Sequence, residues 1–322
     1  IAFWAPRWAV AKRGPQRDRQ RYIPKASEVA AFARALAHRY SGRFDDPRRR
    51  GRNLPAVRMW TTWNEPNHSS FLAPQWKRDG RGGWRPYSPH VYRAMHESAY
   101  DMIKDVSQAN IVLVGGTTSI GSDTPGKGHV PPLEFLRTLA CVDALYRPLD
   151  VPECRGAGAI RADGWAHHPY SLEGSPGTSD PNPDNVPIAD LQRLAETIDK
   201  LFAAKRINAD WPLYLTEYGY ETSPPDPYVT VTPQQQPRYL AWANWLATRR
   251  GDVRMWPQFL LRDIDPAESG FPKSSKRRYR DWQTGLLFHD GVPKPAAQGF
   301  KVPLHVQYAL GPNKEPAVLV WG

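Results

Sequence analysis

The strongest constraint on this chain is an alternation that runs almost its full length. Short apolar runs are each followed by a longer stretch whose apolar residues fall at helical spacing. Residues 1–4, 56–63, 111–116, 163–170, 212–217 and 255–261 read as strands. Residues 26–40 carry Val29, Phe32, Ala33, Leu36 and Ala37 on one helical face, with Ser27 as the expected N-cap. Ser88-Pro89 opens a helix that turns Val91, Met95, Met102, Ile103 and Val106 inward. Residues 188–207 form another, with Leu191, Leu194, Ile198, Leu201 and Phe202 as its stripe. Further helices are expected at 132–145 and 233–248. Strands that alternate with helices imply a parallel sheet, buried on both faces by the helices that cross over it.

Such a sheet is either doubly wound or closed into a barrel, and the polar residues choose between the two. They fall at the C-terminal end of strand after strand: Asn64 and Glu65, His168 and Tyr170, Glu217, Gln258. That is where a (β/α)8 barrel builds its site, from many strand ends at once. A doubly wound sheet carries a Gly-rich phosphate turn after its first strand, and none is present. The tail after Lys301 alternates and reads as the start of a small C-terminal β element. The expected division is therefore a barrel over 1–300 and a β segment over 301–322.

Composition narrows the function classes. No stretch approaches the ~18 apolar residues of a membrane span. The net charge is +11, and basic residues cluster at 17–21, 48–52 and 273–280. No zinc-finger spacing, RNA-binding motif or Gly-Lys-Ser/Thr loop accompanies them. Specific nucleic-acid binding is not expected, and an acidic polysaccharide or cell wall would answer the same charge. Cys141 and Cys154 are the only cysteines. They either form a disulfide, which suits an exported protein, or stay as two buried thiols. Their spacing matches no metal site. The chain holds 13 Trp; large aromatics fill cores, and they also stack on the apolar faces of sugar rings.

Two carboxylates dominate the chemistry. Glu65 ends the run 56–63, and Glu217 ends the run 212–217. A Glu at a buried strand end is costly unless it is paired or used. Two of them at equivalent ends of a barrel, each flanked by aromatics, suit glycoside hydrolysis. One protonates the leaving oxygen while the other attacks the anomeric carbon. The supporting residues have plainer readings beside them. His167 and His168 also read as satisfied core or loop histidines, His68 suits a structural or solvated role, and Glu221, Asp263 and Asp265 are sugar-hydroxyl ligands or solvated loop carboxylates.

Trp63-Asn64-Glu65-Pro66-Asn67 resembles the strand-four motif of the clan A glycoside hydrolases, retaining (β/α)8 enzymes that include families 5 and 39. Leu215-Thr216-Glu217-Tyr218-Gly219 resembles their strand-seven motif, and His168-Pro169-Tyr170 their strand-six element. The resemblance runs from the first residue to about Phe300. It implies that Glu65 is the general acid/base and Glu217 the nucleophile. Asn64 would bind the sugar 2-hydroxyl, Tyr170 would support the nucleophile, and His168, Trp8 and Trp256 would line the substrate site. The reaction it implies is hydrolysis of β-glycosidic bonds in an oligo- or polysaccharide, with no metal or cofactor, by a secreted or cell-surface protein. Only one strand precedes the strand-four motif, so the first two strands of the barrel, and the strand-two Arg, are missing from the sequence. The expectation is an incomplete copy of the natural domain, or missing strands supplied from elsewhere. A non-catalytic carbohydrate-binding barrel is the alternative, against which the presence of both Glu65 and Glu217 argues. A basic nucleic-acid- or surface-binding protein rests on charge alone.

Overall fold

The computed structural model describes residues 4–11, 14, 20–172 and 174–322. Most of the expected strand 1–4 and part of the basic cluster 17–21 lie outside them. The chain divides into two compact units.

The first comprises Ile1–His168, Pro181–Val186 and Gln192–Tyr214. It holds α1 (Ala26–Arg39), β1 (Met59–Thr61), β2 (Trp76–Arg78), β3 (Trp84–Pro86), α2 (Ser88–Val106), β4 (Ile111–Thr118), α3 (Pro132–Leu139) and β5 (Gly164–His168). All but the first residue of α4 (Leu191–Ala203), and the first two residues of β6 (Leu213–Leu215), also belong to it. The strand order is β1-β4-β5-β6. β1 pairs with β4, and β4 with β5, in parallel register. β4 is the spine: Val112, Leu113 and Val114 are fully buried, as a parallel strand covered on both faces must be. Beyond them the chain bulges between Gly115 and Thr117. Gly115 sits at φ +98°, and a Cβ there would lie 2.6 Å from the Ala166 carbonyl oxygen, so only glycine fits.

Several expected boundaries move, each for a local reason. α1 starts at Ala26 with Lys25 at its N-cap, not Ser27. α3 stops at Leu139, short of residue 145, because Cys141 turns to φ +59°. Cys141 is bonded to Cys154, with the Cα atoms 5.6 Å apart. β2 and β3 pair antiparallel as a small hairpin within a stretch read as loop. Its turn is organised by Asp79, whose carboxylate accepts the Arg81 and Gly83 N–H groups. The apolar face of α1 is only partly covered: Ala37 packs in the core with Ile103 and Val112, while Phe32 is 51% exposed. It lines an open cleft of about 570 Å³ with Trp4, Trp8, Met59 and Trp60.

The second unit comprises Pro169–Asp180, Pro187–Leu191 and Leu215–Gly322. It contains α5 (Gln236–Thr248), β7 (Val253–Met255), α6 (Ala296–Gly299) and an antiparallel hairpin of β8 (His305–Leu310) and β9 (Pro316–Trp321). β7 follows β6 in the strand order, and it ends at Met255, where the expected 255–261 begins. Pro257, which has no N–H to give a ladder, ends that strand early. The barrel expected from the sequence is not closed: the described strands form an open series from β1 to β7, and a barrel of this kind closes only with about eight strands of matched tilt and stagger. No helix among the described residues is long and apolar enough to cross a membrane.

Candidate active site

In the first unit the motif 63–67 is built around one strained residue. Glu65 has φ +39°, a conformation that a side-chain-bearing residue holds only when its surroundings impose it. Here they do. The Glu65 N–H donates to the Gly116 carbonyl, 2.9 Å, which the bulge of β4 presents. The bulge is pinned from below by Tyr92 of α2, whose hydroxyl accepts the Gly115 N–H and pairs with Thr62. Thr62 also meets His96 Nδ1 at 3.0 Å. Asn67, fully buried, ties the far side: its amide donates to the Val130 carbonyl and its oxygen accepts the Thr118 N–H. Trp63 packs inward and its indole N–H donates to the Phe71 carbonyl. Asn64 is half-buried, and its amide has no hydrogen-bond partner among the described residues.

The carboxylate produced by this scaffold is 8% exposed. His168, at the end of β5, donates from Nδ1 to Glu65 Oε1 over 2.9 Å. Burial pushes the Glu65 carboxyl up, but the hydrogen bond and charge of His168, with smaller contributions from His68 and His129, outweigh it. The group is held below the ordinary carboxylate value. His167 points into the core. Its Nε2–H donates to the Val186 carbonyl and its Nδ1 accepts from Thr117, and burial brings it down to about 4. It is a structural imidazole.

In the second unit Glu217 follows β6 and is half-buried. The Tyr170 hydroxyl donates to Glu217 Oε2 over 3.2 Å. The Tyr170 ring is held between Tyr218, centroids 6.1 Å apart, and Trp282, 5.5 Å apart, both near parallel. Tyr218 and Tyr220 hydrogen-bond to each other, and burial raises both phenols, Tyr220 to about 12. Gly219 between them is needed for room: a Cβ would come within 2.3 Å of the Phe259 carbonyl oxygen. Trp282 keeps 37% of its surface exposed.

The remaining expected residues take varied positions. Trp256 packs between Tyr218 and Phe300, with its indole nitrogen buried. Trp8 stands 66% exposed on the short 3-10 helix Arg7–Ala9. Asp263 forms a buried ion pair with Lys294 at 2.9 Å, which Thr222 and the Gln283 carbonyl complete. Asp265 caps the short helix Pro266–Ser269. Glu221, beside Asp226 and Asp263, is pushed up to about 7 by burial.

No protein-family model matches the chain, and no curated protein matches it in sequence. Solved structures do. A β-glucuronidase from Faecalibacterium prausnitzii is 15% identical, with a TM-score of 0.45, over 87% of this chain and 36% of that one. A monomeric β-xylosidase from Caulobacter crescentus CB15 is 18% identical, with a TM-score of 0.45, over 94% and 50%. A β-glucuronidase from Bifidobacterium dentium is 16% identical, with a TM-score of 0.44, over 86% and 33%. The chain thus spans between a third and a half of the length of these proteins.

Proposed function

We propose that the chain carries the catalytic centre of a retaining glycoside hydrolase that cleaves β-glycosidic bonds of an oligo- or polysaccharide. One observation carries this reading: two glutamates at strand ends, each held by one aromatic donor, His168 for Glu65 and Tyr170 for Glu217. Those two donors are two residues apart in the chain.

In the first step Glu217 attacks the anomeric carbon, and the proton on Glu65 passes to the glycosidic oxygen as its bond breaks. The leaving sugar departs and an ester joins the remaining sugar to Glu217. In the second step Glu65 takes a proton from water, the water oxygen bonds to the anomeric carbon, and Glu217 leaves as carboxylate. Tyr170 supports the ionised Glu217 through its hydroxyl. His168 holds the Glu65 carboxyl in place and shares its proton. The unoccupied amide of Asn64 meets the sugar 2-hydroxyl, and exposed Trp282, with Trp8 and Trp256, supplies aromatic surface for sugar rings. The disulfide supports an exported protein.

Hydrolysis of a panel of aryl β-glycosides, with the first-formed anomer read by NMR, tests the reading. Retention and a loss of roughly 10⁴-fold or more in Glu217→Ala are expected. An inverted product, or undiminished activity in that variant, would overturn it.

A further inference from the structure

His68 and His129 stack at 3.6 Å between ring centroids, 26° from parallel. Each ring has one nitrogen already committed. The Ser70 N–H donates to His68 Nδ1, and the Ser69 N–H to His129 Nδ1, both at 3.0 Å. A backbone N–H can only donate, so both Nδ1 atoms are bare, and a neutral imidazole then carries its proton on Nε2. Because successive amides of one turn hold both Nδ1 edges and the rings lie nearly parallel, the two Nε2–H groups project side by side from the opposite edge. Among the described residues neither has a hydrogen-bond partner. The rings are half-buried, which keeps them neutral: burial and the mutual proximity of the pair bring His68 to about 4, and burial lowers His129 as well.

This pair therefore offers two donors and no acceptor. A sugar hydroxyl both gives and takes hydrogen bonds, whereas an ionised carboxylate only takes them, through two oxygens. A donor-only edge matches the second. Two charges act at the pair: the Glu65 carboxyl reaches both imidazoles and opposes an anion, while Arg21 reaches His68 and favours one.

We propose that the His68–His129 pair is a binding subsite for the carboxylate of an acidic sugar, so that the substrate is a uronate-containing glycan. This rests on the glycosidase reading and names its substrate class. Its position suits that chemistry. His68 lies three residues after Glu65, its N–H donates to the Glu65 carbonyl, and both imidazoles act electrostatically on the Glu65 carboxyl. An anion bound beside Glu65, where His168 otherwise favours the ionised form, favours the protonated one. That is the form the first step requires.

The test needs no turnover. D-glucuronate and D-galacturonate are titrated into the full chain, with D-glucose and D-galactose as the matched neutral sugars, and the imidazole signals of His68 and His129 are followed by NMR. Either uronate should shift both sets of signals and raise the pH at which they titrate; the neutral sugars should not. His68→Asn and His129→Asn separate binding from folding, since the amide oxygen of Asn can replace Nδ1 as acceptor for the turn while the Nε2–H is lost. Each should weaken uronate binding roughly 10- to 100-fold, the value of a hydrogen bond to a charged group. Equal response to neutral sugars, no response to either uronate, or unchanged binding in both variants would overturn the proposal. Retention and the Glu217→Ala loss on neutral aryl glycosides would still stand, so the two readings fail separately.

Discussion

Glu65 and Glu217 are the same residue type at two strand ends, yet the chain treats them differently. Glu65 is almost fully buried, strained in its backbone, and faced by an imidazole that can itself carry a charge. Glu217 is half-buried and faced by a phenol locked in an aromatic stack. An imidazole can both give up and take back a proton, whereas a phenol hydroxyl here serves as a hydrogen-bond donor. The first environment suits a carboxyl that must gain and lose a proton in each cycle. The second suits one that must stay ionised until it attacks.

The largest test of that contrast exchanges the carboxylates for amides. Glu217→Gln should lower kcat by roughly 10⁴-fold or more for every substrate. Glu65→Gln should cost about 10²- to 10⁴-fold on a poor leaving group, but little on an activated aryl glycoside that needs no proton. Equal losses on both leaving groups would erase the distinction. Tyr170→Phe comes next. Losing a hydrogen bond to a charged group costs about 1.5–3 kcal/mol, so kcat should fall roughly 10- to 100-fold, with KM little changed.

His168→Gln is a smaller effect but a more specific one. His168 holds the Glu65 carboxyl down against burial; with that support gone, burial dominates and the carboxyl rises. The alkaline limb of kcat/KM, which under the proposed role of Glu65 reports loss of its proton, should move to higher pH. A profile that keeps its limb would break the assigned pairing. The smallest effect falls away from both carboxylates. Glu221 is raised to about 7 from an ordinary 4.5 by burial, so the folded state holds its proton more tightly than the unfolded chain. That contribution is full below about pH 4.5 and is lost as pH rises through about 7. Glu221→Gln should flatten this fall in stability, on the order of 1–3 kcal/mol, measured by urea unfolding at pH 5 and pH 8.

Much of this was legible in the sequence, and the exceptions share a cause. The strand ends, Glu65, Glu217, His168 and Tyr170 could be read because each lies at a break in an apolar period. The alternation of apolar strands and helices announced the parallel sheet, while closure depends on strands pairing across the whole chain, which local pattern does not encode. The His68–His129 pair was missed because its members are 61 residues apart, and only a turn at Ser69-Ser70 aligns them. Trp282 was not legible either, since nothing local shows that its ring meets Tyr170. Asp263 and Lys294 are likewise 31 residues apart, and each alone reads as a surface charge.

The bulge at Gly115-Gly116 has a consequence for how this protein could vary. One peptide of that bulge holds the backbone of Glu65, and the glycine before it leaves no room for a methyl group beside β5. Substitution at Gly115 would push β4 away from its neighbour and draw the Glu65 turn with it, while the apolar spine Val112–Val114 kept the sheet assembled. A population of variants would therefore contain chains that express and fold yet do not turn over, concentrated at a position that touches no substrate. Loss of activity there would come with a measurable loss of stability, since the clash with β5 and the positive φ both oppose folding.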